Sequence, residues 1–169
     1  MTRSNAMPAA RALALLRVVT GVLLVIGAAG KMKFYFVAGL LPVPVTALTW
    51  QLELPIQLSA WLAMHHSALL APVVRDLLLP HGALVAGLLA WTEMCAGVLL
   101  ALGLQTRAAG VFAELVAGAL VLSSGGAATA GGRFYLFLMI VLLACIVGDA
   151  GQVAGLDGWR RERRRDRNL

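Results

Sequence analysis

Apolar positions along the chain fall into four long blocks, parted by short polar or glycine-rich breaks and by one long mixed stretch. The first block covers residues 12–30 and holds one charge, Arg17. The second, residues 82–104, holds only Glu93; at about 1.5 Å per residue it reaches roughly 34 Å, enough to cross a bilayer core. The third, residues 108–124, is short, rich in Ala and Gly, and carries Glu114. The fourth, residues 134–148, ends at Asp149. Gln105, Thr106 and Arg107 join the second and third blocks, which predicts a tight helical hairpin. The expected fold is all-α: a polytopic membrane protein with a four-transmembrane-helix bundle in a single domain over residues 1–157, then a basic tail over residues 158–169.

Composition supports this. Apolar residues make up 60% of the chain and charged residues 13%, against about 45–50% and about 25% in soluble domains. A soluble core cannot hide that much apolar surface. Disordered chains, secreted disulfide scaffolds and soluble nucleic-acid binders are excluded, so no nucleic-acid partner is expected.

The net charge of +6 is concentrated at one end, where residues 160–169 hold six Arg against Glu162 and Asp166. Such a tail reads as a topology signal and an anionic-lipid contact. With the N-terminus inside, Arg3, Arg11, Arg17, Arg107 and the tail share the inner side; Lys31, Lys33, Arg75 and Arg133 lie outside. The bias places both termini in the cytoplasm. Residues 123–132 then form a short outer loop. Arg-bearing residues 1–17 before a short apolar run also fit a cleaved secretory leader, although the long basic region speaks against it. Cleavage would leave three spans in the same orientation.

Residues 31–81, between the first two spans, are too apolar for a free loop. Phe34, Trp50, Leu52, Leu54, Ile56 and Trp61 are punctuated by Pro42, Pro44, Pro55, Pro72 and Pro80. An outer interfacial helical segment is expected near residues 57–70, with tryptophans at headgroup depth, capping the bundle.

The charges inside the spans carry the chemistry. Gly82, Ala86, Ala90, Glu93, Gly97 and Ala101 share one arc of the second helix, away from Leu84, Leu88, Trp91, Leu99 and Leu102. Small residues mark the faces by which membrane helices approach one another, so Glu93 is expected to face protein. In the third span Arg107, Gly110, Ala113, Glu114, Ala117 and Gly118 share a face opposite Phe112, Val116 and Ala119. In the first, Arg17, Gly21 and Ala28 align. Arg17 and Glu114 stand at similar depth and are expected to form a structural ion pair. Glu93 is deeper, with no obvious cation at its level. An intramembrane carboxyl reads as a proton-handling or ligand-binding group, or as an interhelical hydrogen-bonding group that fixes packing.

Other residues offer less. Cys95 lies among the leucines of the second span, and Cys145 occupies a span whose faces cannot be oriented; they read as apolar fillers more readily than as a redox pair. His65 and His66 are adjacent but lack a carboxylate or Cys at ligand spacing, so no metal is predicted. His81 stands at the mouth of the second span, placed to meet a ligand from outside. No haem, flavin or iron–sulfur ligand set is evident, and nucleotide, zincin and serine-hydrolase motifs are missing.

The run from Glu93 through Gly97, Gly103, Thr106 and Arg107 to Gly110 reads as a Glu, a Gly four later, and an L-x-L-G-L-x-T-R turn opening the third helix. This closely resembles the signature of the DoxX/DoxD family of bacterial membrane proteins. Arg17, Gly30 with Lys31, and Leu79, Pro80 and His81 add to the resemblance, as does the closing stretch 151–157. That stretch departs from the family's closing motif: it lacks the Pro and the Ser and has one extra residue. The resemblance implies a four-helix bundle in the bacterial plasma membrane and redox company. The name-giving members are subunits of a thiosulfate:quinone oxidoreductase.

The leading expectation is therefore an integral membrane subunit of a quinone-linked redox complex. Glu93 would handle protons, and Glu93, His81 and Arg107 would contact a quinone. Electrons would come from other membrane or soluble subunits. The alternative is a non-catalytic scaffold or anchor for an oxidoreductase or a larger complex.

Overall fold

A computed structural model of the chain describes residues 6–64, 70–124, 128–148, 150–151, 155–159 and 163. Helix α1 (Ala6–Gly30) leads into a hairpin of strands β1 (Met32–Val37) and β2 (Leu41–Thr46). Next come α2 (Leu48–Met64) and the short α3 (Leu70–Pro72), which continues as a π-helical stretch, Val73–Leu78. The chain closes with α4 (Gly82–Leu102), α5 (Thr106–Ser123) and α6 (Ala130–Val147). Among the described residues, four helices are long and apolar enough to cross a membrane: Ala10–Gly30 within α1, and the whole of α4, α5 and α6.

Two boundaries move for local reasons. Gly103 takes φ +65 and ends α4 in the left-handed turn that a glycine adopts without strain. Helix α6 begins four residues before the expected 134, because the Thr129 hydroxyl accepts from the Gly132 amide at 3.0 Å and folds the glycines into its first turn. The predicted loop over residues 123–132 is correspondingly shorter. Asp149, at the predicted end of the fourth span, lies outside the described residues.

The long helices form a ring: α1 packs on α4 and α6, and α5 packs on the same two, so α1 and α5 are diagonal. Small residues set the closest approach. A Cβ on Gly21 would lie 2.5 Å from the Ala101 amide nitrogen and 2.7 Å from the Gly97 carbonyl oxygen. The predicted inner arc of α4 holds for Gly82, Ala86, Ala90, Glu93 and Gly97, which are buried; Ala96 and Leu100 complete it in place of Ala101. Leu84, Leu88, Trp91 and Leu102 face outward. On α5 the buried face is rotated from the expected one. Val116 joins Ala109, Gly110, Ala113, Ala117 and Leu120 inside, while Arg107 turns out. Helix α5 touches α4, α6 and α2, and three neighbours bury a wider face than a small-residue stripe marks.

Helices α1 and α4 run antiparallel but out of step. Gly21 lies beside Gly97 and Ala101, and Gly27 beside Glu93, so α1 ends about 12 Å short of the first residue of α4. Helix α2 fills the space left. The Trp50 indole donates to the Ala86 carbonyl at 3.1 Å, and Pro55 lies against Gly82. Trp50, Leu54, Leu58 and Trp61 form a hydrophobic cluster with Ala86, Ala90, Val116 and Leu120. A second cluster lies towards the opposite end, around Leu24, Leu100, Ala113, Leu138 and Leu142.

The segment between the first two spans corrects the all-α expectation. It opens with an antiparallel hairpin in which Phe34 faces Pro44 and Phe36 faces Pro42, closed by a turn of Ala38 (φ +53), Gly39 (φ +70) and Leu40. Two consecutive left-handed residues reverse the chain within this three-residue turn, and Gly39 adopts that conformation without strain. The helix expected near residues 57–70 starts earlier, at Leu48, and includes Pro55; residues 65–69 lie outside the described residues.

Candidate functional site

The seam between the two hydrophobic clusters holds a charged pair. Glu93, halfway along α4, is 2% exposed, and its Oε2 accepts a hydrogen bond from the Lys31 ammonium. Lys31 is itself largely buried, at 12% exposure, and its Nζ stands 5.1 Å from the centre of the Trp50 ring, a cation–π distance. A Cβ on Gly27 would come within 2.7 Å of Glu93 Oε1, so the glycine makes room for the carboxylate. Tyr135 of α6 packs on both clusters within electrostatic reach of Glu93.

Lys31 is fixed at its backbone. Its amide donates to the Ala28 carbonyl at 2.9 Å as α1 ends, and its own carbonyl accepts from the Ala47 amide at 2.9 Å where the hairpin returns. The hairpin thus begins and closes on this residue. The expectation that Glu93 has no cation at its level is overturned. Lys31 follows the last residue of α1, and the axial offset carries that end down to the middle of α4. The pair offers an ammonium donor and a carboxylate acceptor beside an indole face and a phenol.

His81 and Arg107 do not join it. His81 precedes α4, exposed, with Nδ1 3.1 Å from the Leu77 carbonyl oxygen. Arg107 is the second residue of α5, exposed at the opposite end of the bundle. Along α4 each lies roughly 15–20 Å from Glu93.

The ion pair expected between Arg17 and Glu114 does not form, because their helices are diagonal and each side chain turns elsewhere. Arg17, 1% exposed, donates from Nη1 to the Ala150 carbonyl at 2.7 Å. It lies against Gly103 and Gly155, where an added Cβ would stand 2.6 and 2.7 Å from Nη1. Glu114 is half-buried and its Oε2 has no hydrogen-bond partner among the described residues.

A second polar centre occupies the α4–α5 turn. Asp157 accepts from the Gln105 amide at 2.9 Å, the Thr106 amide at 3.0 Å and the Thr106 hydroxyl at 3.2 Å. Its own amide donates to the Gly103 carbonyl at 3.0 Å. Gln105, at the capping position of α5, has φ +48 and gives no side-chain cap; a carboxylate from the far end of the sequence does so instead. In the sequence Asp157 stands out only as the end of the closing stretch 151–157. A cap supplied from 51 residues away leaves no local signal.

Both cysteines are free. Cys95 is exposed in a groove of about 340 Å³ that it shares with Trp91, Leu99 and Phe112, and Cys145 is buried on α6. Among the described residues no three His, Cys, Asp or Glu side chains gather as a metal site. His65, His66 and most of the basic tail lie outside the described residues. No family model, curated protein or solved structure matches the chain.

Proposed function

We propose that this chain is an integral membrane subunit of a quinone-linked redox complex, with both termini in the cytoplasm of a bacterial cell and with Lys31 and Glu93 forming its ligand-facing proton site. The observation that carries the reading is the sheltered Lys31–Glu93 pair roofed by Trp50. Ionisable groups buried inside membrane bundles mark ligand and proton pathways. The donor set suits a quinone ring: an ammonium for a carbonyl oxygen, an aromatic face for the ring, and a carboxyl for proton transfer. Two-electron reduction of a quinone takes up two protons, and Glu93 is the group placed to pass them. The electrons come from a partner subunit, and the arginine-rich tail contacts anionic lipid.

The test is quinone binding to the purified chain in nanodiscs, read by quenching of tryptophan fluorescence with a short-chain ubiquinone analogue. Saturable quenching is expected, weakened about tenfold or more in Glu93→Gln and in Lys31→Met, the loss of one charged hydrogen bond. Absence of saturable quenching, or full quinone-reductase turnover by a Glu93→Gln complex, rejects the reading. The second reading, a scaffold for an oxidoreductase, is favoured by the Asp157 clamp, which anchors the chain shortly before its basic tail. It predicts that removing residues 160–169 releases a co-purifying partner while the bundle stays folded.

A further inference from the structure

The β1–β2 hairpin has an unusual surface. Phe34, Tyr35 and Phe36 are consecutive in β1, and all three are half or more exposed. Neighbours in a strand point to opposite faces, so both faces of the sheet are open and apolar. On β2, Leu41, Val43 and Val45 are exposed as well, with Leu40 in the turn. Lys33 is the only charge in the hairpin. A hairpin in water shows one polar face; this one shows none.

Of the hairpin's two outer edges, that of β2 is equally unsuited to pairing with another strand. Pro42 and Pro44 oppose Phe36 and Phe34, and without an N–H they can stand only where the backbone turns away from β1. At both positions the outer edge of β2 presents carbonyl oxygens and no donors. The Thr46 carbonyl, next in that series, accepts from the Gln51 side chain at 3.4 Å. Two missing donors on β2 hinder strand addition along that edge and lower the desolvation penalty of laying it against lipid.

Depth points the same way. Three of the four candidate spans, α4, α5 and α6, follow one another with only a few residues between them. Because α1 stops about 12 Å short of the start of α4, the hairpin departs from within the depth that α4 spans. Its base touches the membrane-facing side of the bundle: Thr46 lies beside Gly87, between the exposed Leu84 and Leu88.

From these three observations we infer that the hairpin is a lipid-facing wedge, seated at the headgroup–acyl boundary of the leaflet on its own side of the bilayer. Its ligand is membrane lipid. Aromatic rings sit well between headgroup and chain. This inference stands apart from quinone chemistry.

The test replaces Phe36, and separately Val43, with the photoreactive p-benzoylphenylalanine in the full chain, in vesicles of phosphatidylethanolamine and phosphatidylglycerol. Phe112, exposed on α5, serves as the lipid-facing reference, and the exposed Asp76 as the polar one. Lipid adducts at Phe36 and Val43 are expected at yields within about threefold of Phe112 and about tenfold or more above Asp76, as for an interfacial segment. A covalent dimer instead would assign the surface to a second copy and overturn the inference. So would unmodified protein at both hairpin positions while Phe112 yields adducts, because the hairpin would then face water.

Discussion

Lys31 and Glu93, 62 positions apart in sequence, meet in the interior of the bundle because α1 ends level with the middle of α4. Neither residue's depth within its own helix predicts the contact. The axial offset does, and the same offset leaves the space that α2 and Trp50 occupy.

Breaking this pair from one side should cost more than removing it from both. Lys31→Met leaves a buried carboxylate without its partner and is expected to destabilise the bundle by about 3–5 kcal/mol. The double variant Lys31→Met/Glu93→Gln removes both charges and should recover much of that loss. Unfolding in detergent titrated with denaturant measures the cycle. Additive single effects would show that the two side chains are not coupled.

The inward face of α4 was legible because Gly82, Ala86, Ala90, Glu93 and Gly97 recur at helical spacing among leucines, and burial follows that spacing directly. The offset of α1 was not. Sliding one helix along another keeps the same residues on the same face, so periodicity is silent about it. It took with it the identity of the cation beside Glu93. Pro42 and Pro44 hid the hairpin, since prolines argue against a strand unless it lies at an edge. Depth alone pairs Arg17 with Glu114; the ring order, which sets α1 and α5 on the diagonal, leaves no trace in helical periodicity.

The α1–α4 contact allows little extra volume. A Cβ at Gly97 would lie 2.8 Å from the Gly21 carbonyl oxygen and 2.9 Å from both the Val25 amide nitrogen and its Cγ2. Two of those three atoms are backbone, which cannot swing aside. Gly97→Ala is expected to cost about 1–3 kcal/mol by overpacking and to part α1 from α4. The readout is the thermal midpoint in detergent, with Gly30→Ala as the reference because nothing lies within 4 Å of its Cβ position.

Asp157 holds the first turn of α5 through two backbone amides and one hydroxyl. Asp157→Ala should cost about 0.5–2 kcal/mol, the usual range for a lost cap, and Asp157→Asn less. The effect should be local: faster hydrogen exchange at Gln105 and Thr106, with the middle of α5 unchanged. Uniform acceleration along α5 would mean that the clamp supports the whole helix.

Glu114 gives the opposite sign. Its Oε2 is buried with no hydrogen-bond partner among the described residues, and its neighbours on α5 are Ala113 and Leu115, the first wholly buried and the second exposed. A polar atom withdrawn from solvent without a partner costs about 1–3 kcal/mol. Glu114→Met keeps the chain length of the side chain and replaces that oxygen with an apolar group. The variant is therefore expected to raise stability within that range, whereas a pair with Arg17 would make it destabilising. The same denaturant titration in detergent decides between the two, and Glu114→Gln, which keeps the shape and removes the charge, should fall between them.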